Sequence, residues 1–367
     1  PAWPPPQGEV RPAAAGPVVF EAAEDLDAVQ GEAAAAGALA AYSLLATYLP
    51  PDVAPGACHS GLLLGGTGGI VEEWDLDAGL RLDRFCVDGR EEEASDPGAL
   101  GGSELSVVAL MAPGASAQAA EPDELVVAAV NAPGEGGLAV LRRGGEAQAW
   151  QLEAPWPLED QPPGWRQLDK VSRGEFLRGS CALLAVGQTS ALGSFEVGLY
   201  DVAVAPPRPL VACVEHTDLV ADVCAASAQT FASASLDASL LLWDVRAGQR
   251  PAARAGFSEA APAGLSSLAM GHGSMLLCGS LAGELFLFDA RQLARPFARP
   301  PSVRGAVVRL RLWQENAEQV VAAVASSEEG LCSLSIGGSS GSGELRRAVY
   351  NGGGATAAAA SGAADEP

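Results

Sequence analysis

The chain has 367 residues, of which 48% are apolar and 18% charged, so it can build a substantial core and is too apolar for a wholly disordered protein. Its formal charge of −23 argues against nucleic acid as a partner, because a phosphate backbone would be repelled. The charge is uneven: residues 1–165 carry 6 basic and 26 acidic side chains, whereas residues 166–367 carry 16 and 19.

The same composition predicts an intracellular protein, cytoplasmic or nuclear, with no membrane span. The chain has no run of 18 strongly apolar residues and shows no secretory signal. Its seven cysteines are odd in number, scattered and never spaced as C-x-x-C, which is typical of buried thiols in a reducing compartment.

A strand, turn, strand unit recurs along the chain and predicts the architecture. Six units are recognisable, at residues 61–79, 124–144, 182–202, 216–248, 264–293 and 307–336. The spacing is 43 residues from Asp201 to Asp244, 45 from Asp244 to Asp289, and 47 from Gly283 to Gly330, where Gly283 takes the turn position of Asp237. The wider early spacing comes from insertions at residues 88–103, 112–123 and 154–165, which we expect in surface loops.

A unit of three or four short strands cannot bury both of its faces alone, so we expect the units to stack around a ring. Residues 1–16 and 337–367 are rich in Pro, Ala, Gly and Ser and are predicted to be flexible tails on a domain spanning residues 17–336. The apolar piece at residues 344–350 is the exception, because it offers a last strand that closes the ring.

Four units end in an aromatic residue followed by Asp, and in this the chain resembles the WD40-repeat family. These pairs are Trp74-Asp75, Tyr200-Asp201, Trp243-Asp244 and Phe288-Asp289. The resemblance covers about residues 39 to 336 and identifies no particular member, with only faint similarity to the WD40 subunit of the arginine methylosome.

The resemblance implies an all-β propeller with four-stranded antiparallel blades. Seven blades are expected, with six as the alternative, since only six repeats are recognisable. A seventh blade could come from residues 18–43, or residues 18–20 could supply an outer strand that closes the ring.

The resemblance also implies a buried hydrogen-bonded tetrad inside one blade: His216, Ser233 or Ser235, Asp237 and Trp243. The same residue types compose a Ser-His-Asp hydrolytic triad, but triad members are usually distant in sequence. We therefore interpret this set as structural.

Other candidates for chemistry are weak. The three histidines, His59, His216 and His272, have no partner at ligand spacing, and the glycines at 65–69 precede a strand and no Lys-Ser/Thr. We predict no catalytic residue, no cofactor and no metal.

Two charged segments are candidate partner-binding sites. One is an acidic cluster, Glu91, Glu92 and Glu93, and the other is the basic stretch from Arg291 to Arg311, within which we select Arg295, Arg299 and Arg304. The predicted function is a non-catalytic protein-interaction scaffold or adaptor subunit. The alternatives are a propeller hydrolase with carboxylates at the central channel, and a substrate-recognition subunit of a ubiquitin ligase.

Overall fold

The computed structural model describes the strands and their short connections within one compact unit, Leu39–Ala348. The described residues are 41–44, 61–66, 68–75, 80–88, 105–113, 124–143, 150–154, 168–257, 262–314, 319–337 and 343–347. The predicted tail at 1–16, residues 338–342 and 348–367 of the predicted tail at 337–367, residues 18–40 of the candidate seventh-blade segment 18–43, His59 and the Glu91–Glu93 cluster lie outside them.

Apart from a single 3-10 turn at His272–Ser274, the regular structure of the described part is all β. The strands are β1 Ala41–Leu44, β2 Gly61–Gly66, β3 Ile70–Asp75, β4 Leu80–Cys86, β5 Ser106–Met111, β6 Glu124–Ala132, β7 Glu135–Arg143, β8 Trp150–Ala154, β9 Leu168–Phe176, β10 Leu183–Ser190, β11 Phe195–Asp201, β12 Arg208–His216, β13 Val220–Ala225, β14 Thr230–Ser235, β15 Leu240–Asp244, β16 Ala253–Arg254, β17 Leu265–Met270, β18 Met275–Ser280, β19 Leu285–Asp289, β20 Val307–Gln314, β21 Gln319–Ser326, β22 Gly330–Gly337 and β23 Gly343–Arg347.

Consecutive strands pair antiparallel, so the described part forms up-and-down sheets that follow the predicted repeats. The sheets are β1–β4, β5–β8, β9–β12, β13–β16, β17–β19 and β20–β23, with a single bridge between Gly136 and Leu168 joining the second sheet to the third. The first strand of each sheet contacts the first strand of the next, in the order β1, β5, β9, β13, β17, β20. The units therefore pack side by side through their first strands.

The first strands share a β-bulge at the same place, near the start of each strand. In β13 the pairing with β14 jumps from Val220 to Asp222, and in β20 the pairing with β21 jumps from Val307 to Arg309. The strands β5, β9 and β17 have the same irregularity. Because the bulge occurs at matching positions, the residues of one first strand can be aligned with those of the others.

Val, Leu and Ala fill the core, as the composition predicts, and large aromatic side chains are few. Trp243, Phe231 and Phe288 are the bulkiest fully buried side chains of the described part, and Phe231 stacks on Trp243 with ring centroids 6.2 Å apart. The predicted burial of thiols holds for Cys213, Cys224, Cys278 and Cys332, whereas Cys86 and Cys181 are half-buried.

One sheet departs from the four-stranded form expected for every blade. The sheet β17–β19 has three strands, and only a bridge from Ala298 to Leu287 takes the place of a fourth. Pro296, Pro300 and Pro301 surround Ala298, and a proline has no N–H to donate to a ladder. In the last sheet, β23 forms the fourth strand and overlaps the segment 344–350 that was predicted for this role.

The turn equivalence drawn from sequence is wrong by one residue. Ser235 and Ser280 occupy matching positions, so Gly283 corresponds to Ala238 and not to Asp237. Both residues have positive φ, 65° for Ala238 and 82° for Gly283.

In the described part, no helix is long and apolar enough to cross a membrane.

Candidate functional site

The residues of the predicted tetrad meet inside the sheet β13–β16, where His216 enters from the end of β12. The His216 Nε2 lies 2.7 Å from the Ser233 hydroxyl, and the Trp243 indole N–H donates to the same hydroxyl at 2.8 Å. On the other side of the ring, His216 Nδ1 lies 2.7 Å from the Ser239 hydroxyl. Both ring nitrogens of His216 are therefore engaged.

Donor chemistry assigns the protons of this network. An indole N–H can only donate, so Ser233 accepts from Trp243, and His216 Nε2 is the described acceptor for the buried Ser233 hydroxyl proton. A neutral imidazole then carries its proton on Nδ1 and donates it to Ser239. Burial lowers the pKa of His216, although the nearby Asp237 carboxylate works against this, so the neutral form is favoured.

Asp237 supports the network through hydrogen bonds with Thr217 and Ser239. Its Oδ2 is 3.6 Å from His216 Nδ1 and accepts the Thr217 N–H at 2.7 Å, while its Oδ1 accepts the Ser239 N–H at 2.8 Å. Burial alone would raise the pKa of Asp237, but the hydrogen bonds from the Ser239 hydroxyl and from these two amides outweigh burial and hold the pKa at about 2. The carboxylate thus ties the loop before β13 to the turn after β14.

Sequence reasoning left Ser233 and Ser235 as alternatives, and the structure separates them. Ser233 contacts both rings, whereas the Ser235 hydroxyl donates to the Asp218 carbonyl and accepts the Asp237 N–H. Ser239 was missed, although it lies two residues after Asp237, where an Asx-turn places an amide on the aspartate side chain.

The aspartates of the aromatic–Asp pairs have a common local role in three of the four units. Asp201, Asp244 and Asp289 each accept the backbone N–H two residues further on. Asp244 and Asp289 also pair with Arg246 and Arg291. Asp75 and Trp74 are described only as backbone, at the end of β3.

Tyr200 pairs with Leu184 as Trp243 pairs with Phe231, so in the sheet register it matches Trp243, as the sequence alignment has it. The hairpin β10–β11 is longer, so Tyr200 lies two residues further from its turn than Trp243 does. Its hydroxyl donates at 2.5 Å to Gln188, which lies as far before the turn of its hairpin as Ser233 does, and Gln188 donates to the buried Glu196. The Tyr200 ring and the Gln188 amide crowd the Cα of Gly198, where a Cβ would collide with both.

Side chains also connect neighbouring sheets through the valine that precedes each bulge. Asn131 makes two hydrogen bonds to the backbone of Val171, at 2.8 and 2.7 Å. Ser172 donates to the carbonyl of Val220 at 2.6 Å, and Ser266 donates to that of Val307 at 2.5 Å. Sequence reasoning did not find these residues, because their partners are 40 or more positions away.

The three arginines selected as candidate partner-binding residues have different described surroundings. Arg295 is exposed, and Arg299 lies over the Phe286 ring at 5.4 Å. Arg304 is 77% exposed and lies 3.7 Å from Glu329. The rest of the basic stretch divides between the Asp289 turn and the first strand β20.

Charged residues meet on the first strands, where Arg309 and Arg311 of the predicted basic stretch lie near residues of distant repeats. The bulge alignment places Arg173, Asp222, Ser267 and Arg309 at one level, on β9, β13, β17 and β20. The 3% exposed Asp222 carboxylate accepts hydrogen bonds from the Ser267 hydroxyl at 3.0 Å and the Leu268 N–H at 2.9 Å, and it lies 3.4 Å from Arg309.

The next level along the strands holds Glu175 on β9 and Arg311 on β20. Glu175 accepts the Ala225 N–H at 3.0 Å, and burial raises the pKa of its carboxyl group. Partial desolvation lowers the pKa of Arg311, which keeps access to solvent, and the charge of Arg309 lowers it further. We call Arg173, Arg309 and Arg311 the first-strand arginine cluster.

Among the described residues, no group of three or more His, Cys, Asp and Glu side chains could hold a metal ion. Burial raises the pKa of the Cys213 thiol to about 11, and burial likewise raises the pKa values of Cys224 and Cys278. These thiols stay protonated at neutral pH, which suits core packing and not metal binding or nucleophilic chemistry.

Solved structures with the same arrangement of strands are WD40-type propellers. The chain matches a structure of U3-55K (TM-score 0.56, 15% identity, 84% of this chain and 80% of that one). It also matches the RRP9 WD40 repeats (0.57, 15%, 84% and 79%) and a chain of the mitotic checkpoint complex (0.51, 14%, 83% and 81%). No protein-family model matches the sequence, and no curated protein does. The chain therefore has the fold of the WD40-type β-propellers.

Proposed function

We propose that the chain is a non-catalytic scaffold or adaptor subunit of a multiprotein complex. The observation that carries this proposal is the state of His216, whose side chain is fully buried with both ring nitrogens bonded to hydroxyl groups. A general base must reach the proton that it removes from a substrate. The Ser-His-Asp set instead cross-links a blade, which is a structural role.

The structural neighbours support the same proposal. One of them is a chain of the mitotic checkpoint complex, which is an assembly of proteins. Fold likeness at 14% identity does not identify a shared partner, so the proposal extends to the class of function and not to that complex. We further propose an intracellular setting, supported by the buried, protonated thiols of Cys213, Cys224 and Cys278.

The hydrolase alternative would need a carboxylate pair near the ring centre, and Asp222 and Glu175 are the described candidates. Asp222 is already bonded to Ser267 and to the Leu268 amide, and Glu175 to the Ala225 amide. Through these contacts both carboxylates hold strands together. This structural role favours the scaffold function over the enzyme.

The test combines partner capture with an activity screen. Full-length tagged protein purified from its source cells should retain one or more proteins at stoichiometric amounts, measured by mass spectrometry. Esterase, phosphatase and glycosidase assays on the purified protein should stay at background. A turnover that disappears in Glu175→Gln or Asp222→Asn, while the fold is retained by circular dichroism, would overturn the proposal in favour of the hydrolase.

A further inference from the structure

The first-strand arginine cluster gathers positive charge in one place on a strongly acidic chain. Arg173 and Arg309 occupy equivalent positions after the bulges of β9 and β20. The Arg173 guanidinium donates to the Val308 carbonyl at 3.1 Å, which brings together strands that are 135 positions apart. Arg311 follows Arg309 by two residues, so both side chains leave β20 on the same face.

Two nearby carboxylates offset part of the charge of the three arginines and leave a positive excess. Asp222 faces Arg309 but also serves two donors from β17, and Glu175 accepts a backbone amide. Arg311 is exposed and makes no hydrogen bond or ion pair with any residue that the structure describes. Three guanidinium groups thus face two carboxylates that also have other hydrogen-bond partners. An added anion would relieve the mutual repulsion of the arginines.

Exposed apolar side chains lie on the same strand as the arginines. Val308 is 46% exposed and Trp313 is 47% exposed, at either end of the Arg309–Arg311 pair. Trp313 follows Arg311 by two residues and shares its face of β20. Aromatic and arginine side chains together are the typical composition of protein-binding hot spots. A free inorganic anion would gain no binding energy from the tryptophan.

We propose that the first-strand arginine cluster binds a phosphorylated side chain in a segment of a partner protein, with Val308 and Trp313 contacting the apolar residues beside it. This inference rests on the proposed scaffold function and names the chemistry of its partner. A phosphate monoester has a charge of about −1.5 to −2 and three acceptor oxygens, and planar guanidinium groups bind such oxygens in pairs. The −23 charge of the whole chain disfavours a long polyanion but not a single phosphate group.

The test uses a degenerate library of 12-residue peptides with one fixed phosphoserine or phosphothreonine, and the same library without phosphate. The full chain is immobilised, retained peptides are sequenced, and the best peptide is labelled for fluorescence anisotropy. We expect enrichment from the phosphorylated library only, and at least tenfold weaker binding of the best peptide by Arg311→Gln and by Trp313→Ala. Arg311 has no described partner to lose, so circular dichroism and the urea midpoint of Arg311→Gln should match those of the parent.

The matched control is Arg295→Gln, which removes the same charge from an exposed loop arginine. Equal binding by Arg295→Gln and the parent supports the cluster, whereas loss in Arg295→Gln and not in Arg311→Gln would move the site to the loop and overturn the inference. Lack of phosphate-dependent enrichment would also overturn it, as would Arg311-dependent binding of inositol hexakisphosphate or a 20-nucleotide single-stranded DNA without peptide binding. Any of these results leaves the scaffold function standing if partners still co-purify.

Discussion

Ser233→Ala tests whether the buried network stabilises its blade. The Ser233 hydroxyl is completely buried and is the partner of both the Trp243 N–H and the His216 Nε2. The substitution removes one oxygen atom and leaves two buried polar groups without it. Each unsatisfied group costs about 1–3 kcal/mol, so we expect the free energy of unfolding to fall by about 3 kcal/mol.

The assay is urea unfolding followed by far-ultraviolet circular dichroism, with Trp243→Phe and the double variant alongside. Trp243→Phe removes the indole donor, so in its presence Ser233→Ala leaves only His216 unsatisfied. The two changes should therefore cost about 1 kcal/mol less together than the sum of their separate effects. Ser302→Ala, at an exposed serine with no described hydrogen bond, serves as the control and should stay within about 0.5 kcal/mol of the parent.

A loss of less than about 1 kcal/mol in Ser233→Ala, or a strictly additive double variant, would refute the reasoning. Either result would mean that the indole and imidazole nitrogens find other partners or water when the hydroxyl is gone. The blade would then be held by its apolar contacts alone.

Three further predictions concern pH, a turn and a junction between sheets. Because the pKa of His216 is lowered in the folded protein, the unfolded chain binds more protons below its ordinary value of 6.5, so stability should fall with acidification from about pH 7 to pH 5, and less steeply in His216→Gln. Gly283→Ala, whose Cβ would collide with the Val303 carbonyl, should lower the urea midpoint well beyond Gly193→Ala, which has similar φ and open space around it. Asn131→Ala should cost about 2 kcal/mol by the same unfolding assay, since two hydrogen bonds to the next sheet are lost.

Contrary results would be equally informative. A pH profile of His216→Gln that is as steep as that of the parent would assign the acid sensitivity to other groups. Equal midpoints for the two glycine variants would show that the Gly283 turn moves without penalty. An unchanged Asn131→Ala would mean that the junction between β6 and β9 depends on apolar packing.

The sequence by itself determined the repeat and the contents of one blade. Strand alternation and turn signals are local, and His216, Ser233 and Trp243 all lie within 28 consecutive residues, so their meeting follows from the repeat. The spacing also favoured a structural role over a catalytic triad, because a set carried by one hairpin and its preceding loop has its partners close in sequence.

Only the tertiary structure decided which serine contacts the rings, which residue accepts the Tyr200 hydrogen bond, and what the arginines face. The choice of Ser233 over Ser235 depends on register, and the longer β10–β11 hairpin makes Gln188 the hydrogen-bond partner of Tyr200. Arg309 appeared in sequence to belong with Arg304, yet it meets Asp222, 87 positions earlier. Ring packing brings the first strands of distant repeats together, and no local pattern records which side chains then become neighbours.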